Sequence, residues 1–109
     1  MTKRVMIVVN VPEDNADAMR QAIGRAGVGK LGDYTYCSFS IKGKGRFMPG
    51  QNANPAIGKR GELVAVDEER IEVACNESDA PAIIRAIREA HPYEEPATVV
   101  YALLDLEVG

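Results

Sequence analysis

The chain has few of the residues from which catalytic or metal centres are usually built. Its 109 residues include one histidine, two cysteines and an aromatic share of only 6%. Two cysteines, Cys37 and Cys75, cannot form the disulfide framework of a small secreted scaffold. A cytoplasmic location with both thiols reduced is therefore expected. No apolar run approaches the ~20 residues that a membrane helix needs, the longest lying near Val5–Val9. The start Met1-Thr2-Lys3-Arg4-Val5 is basic but lacks the long apolar stretch and small-residue cleavage site of a signal peptide. There is no internal repeat and no low-complexity segment. One histidine with no acid evidently placed to orient it argues against a nucleophilic triad. The spacing of a Walker phosphate loop is also missing.

What remains is an ordinary globular composition, 46% hydrophobic and 27% charged, enough for one core and one domain over residues 1–109. Charge is unevenly spread behind a net value of −3. Residues 1–60 carry ten Lys/Arg and four Asp/Glu, and residues 61–109 carry three and twelve. The simplest physical reading is that the halves interleave, so that basic and acidic strands face each other. An alternative is an anion site in the basic stretch Lys42, Lys44, Arg46, Lys59 and Arg60. Overall acidity argues against nucleic acid as a partner.

Arg4 to Val11 is a β-branched apolar run and predicts a buried strand. Pro12 with Glu13, Asp14 and Asp17 marks a helix start. Met19, Ala22, Ile23 and Ala26 then form one helical stripe, stopped by Gly27 and Gly29. Tyr34 to Ile41 alternates as a strand does, with Cys37, Phe39 and Ile41 on one face. Gly43 and Gly45 predict a tight turn, and Arg46-Phe47-Met48 a short return strand. Pro49 to Gly61 reads as a loop. Glu62–Val66 and Arg70–Cys75 predict one strand broken near Asp67–Glu69, or two short ones. Ser78 is the expected N-cap of a second helix with the stripe Ala80, Ile83, Ile84 and Ile87. That helix should end by His91, because the residue before a proline is pushed out of helical conformation. Ala97 to Leu106 is the last strand, apolar on both sides. Cys37 and Cys75 read as small core residues.

The order β-α-β-β-α-β is the ferredoxin-like, split βαβ pattern of an α+β fold. Its four-stranded antiparallel sheet carries two helices on one face. An apolar second face would be covered by oligomerisation through the sheets.

Six motifs occur in register across this frame: Gly29-Lys30-Leu31-Gly32-Asp33-Tyr34; Cys37-Ser38-Phe39-Ser40; Gly43-Lys44-Gly45-Arg46-Phe47-Met48-Pro49; Ala53-Asn54-Pro55-Ala56-Ile57-Gly58; Glu68-Glu69-Arg70-Ile71-Glu72; and His91-Pro92-Tyr93-Glu94-Glu95-Pro96. Together they resemble the inserted PII/CutA-like middle domain of the Nif-three-like family, the YqfO type. The last motif is also similar to the H-P-Y-E-x-P segment of the CutA proteins. The resemblance implies a PII/CutA-like fold and a homo-trimer. Full Nif-three-like proteins hold two metal ions with histidines and acids of flanking domains. This sequence starts at Met1 directly on the first strand and has one histidine, so that chemistry is not expected here.

The candidate site residues follow from these motifs. His91, with Glu94 and Glu95, is the candidate set for a divalent metal ion, gathered in three copies by trimer symmetry. The alternative for His91 is a helix-end residue whose ring bonds backbone carbonyls. Lys44 and Arg46 beside Gly43-x-Gly45 are candidates for a small anionic ligand, held by backbone N–H groups, the alternative being a plain hairpin turn. Asn54, in a loop that could close over a cleft, and Tyr93 complete the ligand candidates, the alternatives being exposed turn chemistry for the Asn54 loop and a packing role with a bonded hydroxyl for Tyr93. Pro92 and Pro96 fix the bend from helix to strand. Three functions stand beside one another: a non-enzymatic trimer binding a small ligand, a metal ion or a protein partner; a metal-tolerance protein using His91; and an enzyme acting on a phosphorylated substrate.

Overall fold

The computed structural model describes residues 3–27 and 29–104. Strand β1 (Arg4–Pro12) leads through a short 3-10 turn, Glu13–Asn15, into helix α1 (Ala16–Arg25). Strands β2 (Phe39–Phe47) and β3 (Val64–Asn76) follow. A second 3-10 turn, Glu77–Asp79, precedes helix α2 (Ala80–Ala90), and β4 (Thr98–Ala102) closes the chain of elements. The sheet is antiparallel in the order β2-β3-β1-β4. This is the expected ferredoxin-like α+β fold.

One core holds the sheet to its helices. Ile7, Val9 and Val11 of β1 and Ile71 of β3 alternate toward the helical layer, where Met19, Ile83 and Ile87 are also fully buried. Ile84 sits at the flank of its stripe, half-buried. Helix α2 ends at His91, whose extended backbone (ψ 136) meets the restriction imposed by Pro92. The charged halves interleave as expected. Arg20 bonds Glu69 at 2.7 Å and Lys44 bonds Asp67 at 2.6 Å, each a residue of the basic half against one of the acidic half.

Several local expectations are corrected. β2 begins at Phe39, not Tyr34, because the position opposite Ala74 is taken by Gly29. Gly29 donates to the Ala74 carbonyl and accepts from the Cys37 N–H at 2.9 Å, in a left-handed conformation (φ 71) with no room for a Cβ. Cys37 is therefore half-buried outside the sheet and not a core residue, while Cys75 is core. Gly43 and Gly45 do not turn the chain. They lie inside β2, paired with Glu68 and Val66. β3 is unbroken through Asp67–Glu69, because β2 pairs with all three residues and β1 with Glu68 and Glu69, and Asp67 and Glu69 find cations on other elements. Pro12 ends β1, and Ser78 lies within a 3-10 turn, so each helix begins a few residues later than its start signal. β4 ends at Ala102; Leu103 and Leu104 are exposed and Leu106 lies outside the described residues.

Truncating Ile83, which is completely buried, tests the core. Ile83→Ala should cost about 2–5 kcal/mol, read as a lower urea midpoint at unchanged slope. A loss within error of zero would show that α2 does not seal this core.

Candidate functional site

The segment after α2 is fastened to β1 at one residue. Asn10 donates its backbone N–H to the Ala97 carbonyl at 3.2 Å, and its carbonyl lies 2.7 Å from Nε2 of His91. A carbonyl only accepts, so Nε2 carries the hydrogen. Nδ1 in turn accepts the backbone N–H of Tyr93 at 3.1 Å. His91 is 7% exposed and both ring nitrogens are engaged. A metal ion on His91 would have to displace one of these bonds. The helix-end alternative describes its geometry, although the carbonyl it reaches belongs to β1 rather than to α2.

Tyr93 is the next link. Its ring meets His91 at 4.9 Å and Phe47 edge-on at 5.6 Å between centroids. Its hydroxyl donates to Oε2 of Glu68 at 2.9 Å. Burial first, and then the bond and charge of Glu68, push the Tyr93 phenol well above its ordinary value. Glu68 is only 8% exposed. Its carboxylate lies against β2 where a side chain is missing: a Cβ on Gly45 would fall 1.8 Å from Oε1. The two glycines of β2 thus leave bare the stretch of strand that faces this carboxylate.

Around Glu68 opens a cleft of about 590 Å³. β2 forms one wall with Lys44 to Phe47, the loop from Met48 to Ile57 forms another, and Tyr93, Glu94, Glu95 and Ala97 form the third. Five of the seven expected site residues, Lys44, Arg46, Tyr93, Glu94 and Glu95, line this one cleft. Asn54 joins them by donating its backbone N–H to Oε1 of Glu94 at 2.9 Å, which ties the loop to the corner after α2. His91 stands behind Tyr93 as its support. The charge of Lys44 is directed to Asp67, so its ammonium is already paired. Among the described residues, no three His, Cys, Asp or Glu side chains converge at metal-binding separation.

Glu68 is the site residue that sequence reasoning missed. It stands in a quoted motif, but its partner Tyr93 is 25 positions away and the opposing glycines read as a turn. The signal was a carboxylate opposite a Gly-x-Gly, visible only once the β2–β3 register is known.

Two predictions follow from this geometry. Glu68→Gln removes a charge beside the Tyr93 hydroxyl, so the tyrosinate absorbance of Tyr93, isolated by subtracting a Tyr93→Phe titration, should shift to lower pH. The sign for stability is that of an acid raised on folding. Its contribution is complete below the unfolded tyrosine value of about 10 and fades as pH rises beyond it. An unmoved titration would mean that Glu68 does not hold Tyr93. His91→Ala strips the partners from Asn10 C=O and Tyr93 N–H, and should cost about 1–3 kcal/mol for each group left buried and unpaired. Preserved stability in denaturant would show that the corner is held by other contacts.

No family model matches the chain. Among known proteins, it is 45% identical over 97 residues to a "GTP cyclohydrolase 1 type 2 homolog" of Halalkalibacterium halodurans, a match covering 89% of this chain and 26% of that one. A protein of the same name from Mycobacterium bovis is 43% identical over 102 residues, covering 94% and 27%. The chain thus spans about a quarter of the length of these relatives. Among solved structures, a Bacillus cereus protein related to NIF3 superposes with a TM-score of 0.81 at 39% identity, over 94% of this chain and 26% of the other. The divalent ion tolerance protein CutA1 of Ehrlichia chaffeensis superposes with a TM-score of 0.70 at 12% identity, over 98% and 87%. That second likeness concerns the fold. The chain is homologous to one domain-sized segment of the Nif-three-like proteins, and its fold is that of CutA.

Proposed function

We propose that the chain is a non-enzymatic, trimeric small-ligand-binding module of the PII/CutA-like type, with its ligand in the cleft around Glu68 and Tyr93. One observation carries the reading. Asn10, the stretch from Lys44 to Ile57, Glu68 and the corner from Tyr93 to Ala97 converge on a cleft within the usual 300–1,000 Å³ range of small-molecule sites, about 590 Å³. Its walls combine apolar side chains with a few polar groups held in place, the composition that such sites usually have. Lys44, Arg46, Asn54, Tyr93, Glu94 and Glu95 are the proposed contacts.

The trimer rests on the bare side of the sheet. Helices cover one face. On the other, Phe39 and Ile41 of β2 and Val99 and Tyr101 of β4 are exposed, by 46–63%. Arg70 and Glu72 of β3 lie between these two edges, so the face carries two apolar strips flanking an ion pair, and exposed apolar surface bordered by polar groups marks association sites. Trimeric assembly through this face would bury it, and PII and CutA proteins, which the chain resembles, assemble as trimers.

Light scattering on the purified chain should give three times the chain mass, and Phe39→Asp combined with Val99→Asp should give monomers that keep the native circular dichroism. A monomeric parent chain overturns the assembly. For the cleft, a thermal-shift screen of metabolites should find a stabilising compound; a binder at 100-fold its dissociation constant adds ~2.7 kcal/mol.

A further inference from the structure

We propose that the ligand of this cleft carries a compact organic cation, an ammonium or guanidinium group, which completes Glu68. The proposal rests on the cleft being a ligand site and names the chemistry of its floor.

Glu68 is more than nine-tenths buried, and among the described residues its carboxylate accepts a hydrogen bond only from the neutral hydroxyl of Tyr93. No lysine or arginine among the described residues forms an ion pair with it. A buried carboxylate without a counter-charge is costly, and the cost is relieved by a cation with hydrogens to donate. Strand alternation puts Lys42, Lys44 and Arg46 of β2 on the opposite face from Glu68, and Lys44 and Arg46, which line the rim of the cleft, form no ion pair with it among the described residues. Asp67 and Glu69 project to the helical side, where Lys44 and Arg20 meet them. Glu68 projects to the opposite side, where β2 offers only Gly43 and Gly45. Arg70, two residues along on that same side, is committed to Glu72 at 3.2 Å.

The cleft around the carboxylate has room for the missing group. Phe47, Met48, Pro55 and Ile57 supply apolar wall for an aliphatic or aromatic body attached to the cation. Glu95 adds a second carboxylate to the lining, while Glu94 is partly occupied by the Asn54 N–H. A divalent metal is disfavoured by the donor set, since among the described residues no three carboxylate, histidine or cysteine side chains converge. A guanidinium or ammonium needs only one well-placed carboxylate and a dry wall.

The test uses the intact chain and two probes of matched shape, butylguanidinium and butylurea, titrated while backbone amides are followed by NMR. Butylguanidinium should shift the amides of Gly45, Glu68 and Tyr93 saturably. Butylurea, lacking the charge, should bind roughly tenfold more weakly or worse. Glu68→Gln should erase the difference between the probes while leaving the rest of the spectrum native. Equal affinity of the two probes, or an unchanged guanidinium affinity in Glu68→Gln, overturns the proposal. So does dissociation of the oligomer by Glu68→Gln, which would assign the counter-charge to a neighbouring copy. If anionic compounds shift the cleft amides and butylguanidinium does not, the cation is wrong and the cleft stands as a ligand site. If compounds of no charge type reach the cleft, both readings fall.

Discussion

Everything at the functional end of this molecule hangs from the backbone of Asn10. Its N–H and its carbonyl are both spent on the segment that follows α2, one on Ala97 and the other on the ring of His91. The ring then orders Tyr93 through the backbone, and Tyr93 orders Glu68 through its hydroxyl. Each bond on its own is worth about a kcal/mol net. Their effect is larger than that because they are in series and half-shielded from water: losing one leaves the next group buried and unsatisfied. The prolines on either side, Pro92 and Pro96, narrow the conformations this corner can adopt before any bond is made. The corner is thus rigid where a binding surface benefits from rigidity, and the loop opposite is tied to it through Asn54 and Glu94.

How much of this was legible in the sequence depended on how local the determining physics was. β1 and α2 are written in periodicity alone: a β-branched run, and a stripe at Ala80, Ile83 and Ile87. The stop at His91 follows from Pro92. Gly43 and Gly45 were misleading because glycine signals both freedom to turn and absence of a side chain, and local sequence cannot separate the two. Here the second meaning applies. The charge run Asp67–Glu69 likewise suggests an interruption of β3 until Arg20 and Lys44 are known to lie beside it. Cys37 was misplaced for a related reason, since the Gly29 strap that ends β2 early is held by a bond to Ala74, far along the chain.

The cleft shows the same division. Lys44, Arg46, Tyr93, Glu94 and Glu95 stood out because they sit in marked motifs, and the fold gathers them. His91 was visible as a residue but not as a support. Its role depends on the Asn10 carbonyl, 81 positions away. In the sequence, Glu68 could not be distinguished from its two acidic neighbours by residue type. Only the parity of β3 does so.

That parity also accounts for the charge pattern of the whole chain. The acidic second half faces the basic first half on the helical side of the sheet, where Lys42 and Lys44 of β2 and Arg20 of α1 stand among Glu13, Asp67 and Glu69. A strand cannot present three consecutive residues to one face, so the middle acid must go to the other. On that face β2 is apolar or bare: Phe39, Ile41, Gly43, Gly45 and Phe47. Interleaving thus satisfies Asp67 and Glu69 and, by the same geometry, leaves the Glu68 carboxylate without a cation among the described residues. Replacing Gly43 by a lysine could have met that need from within the chain. A glycine there, a second at Gly45 and an open cleft in front of the carboxylate leave the counter-charge to be supplied from outside.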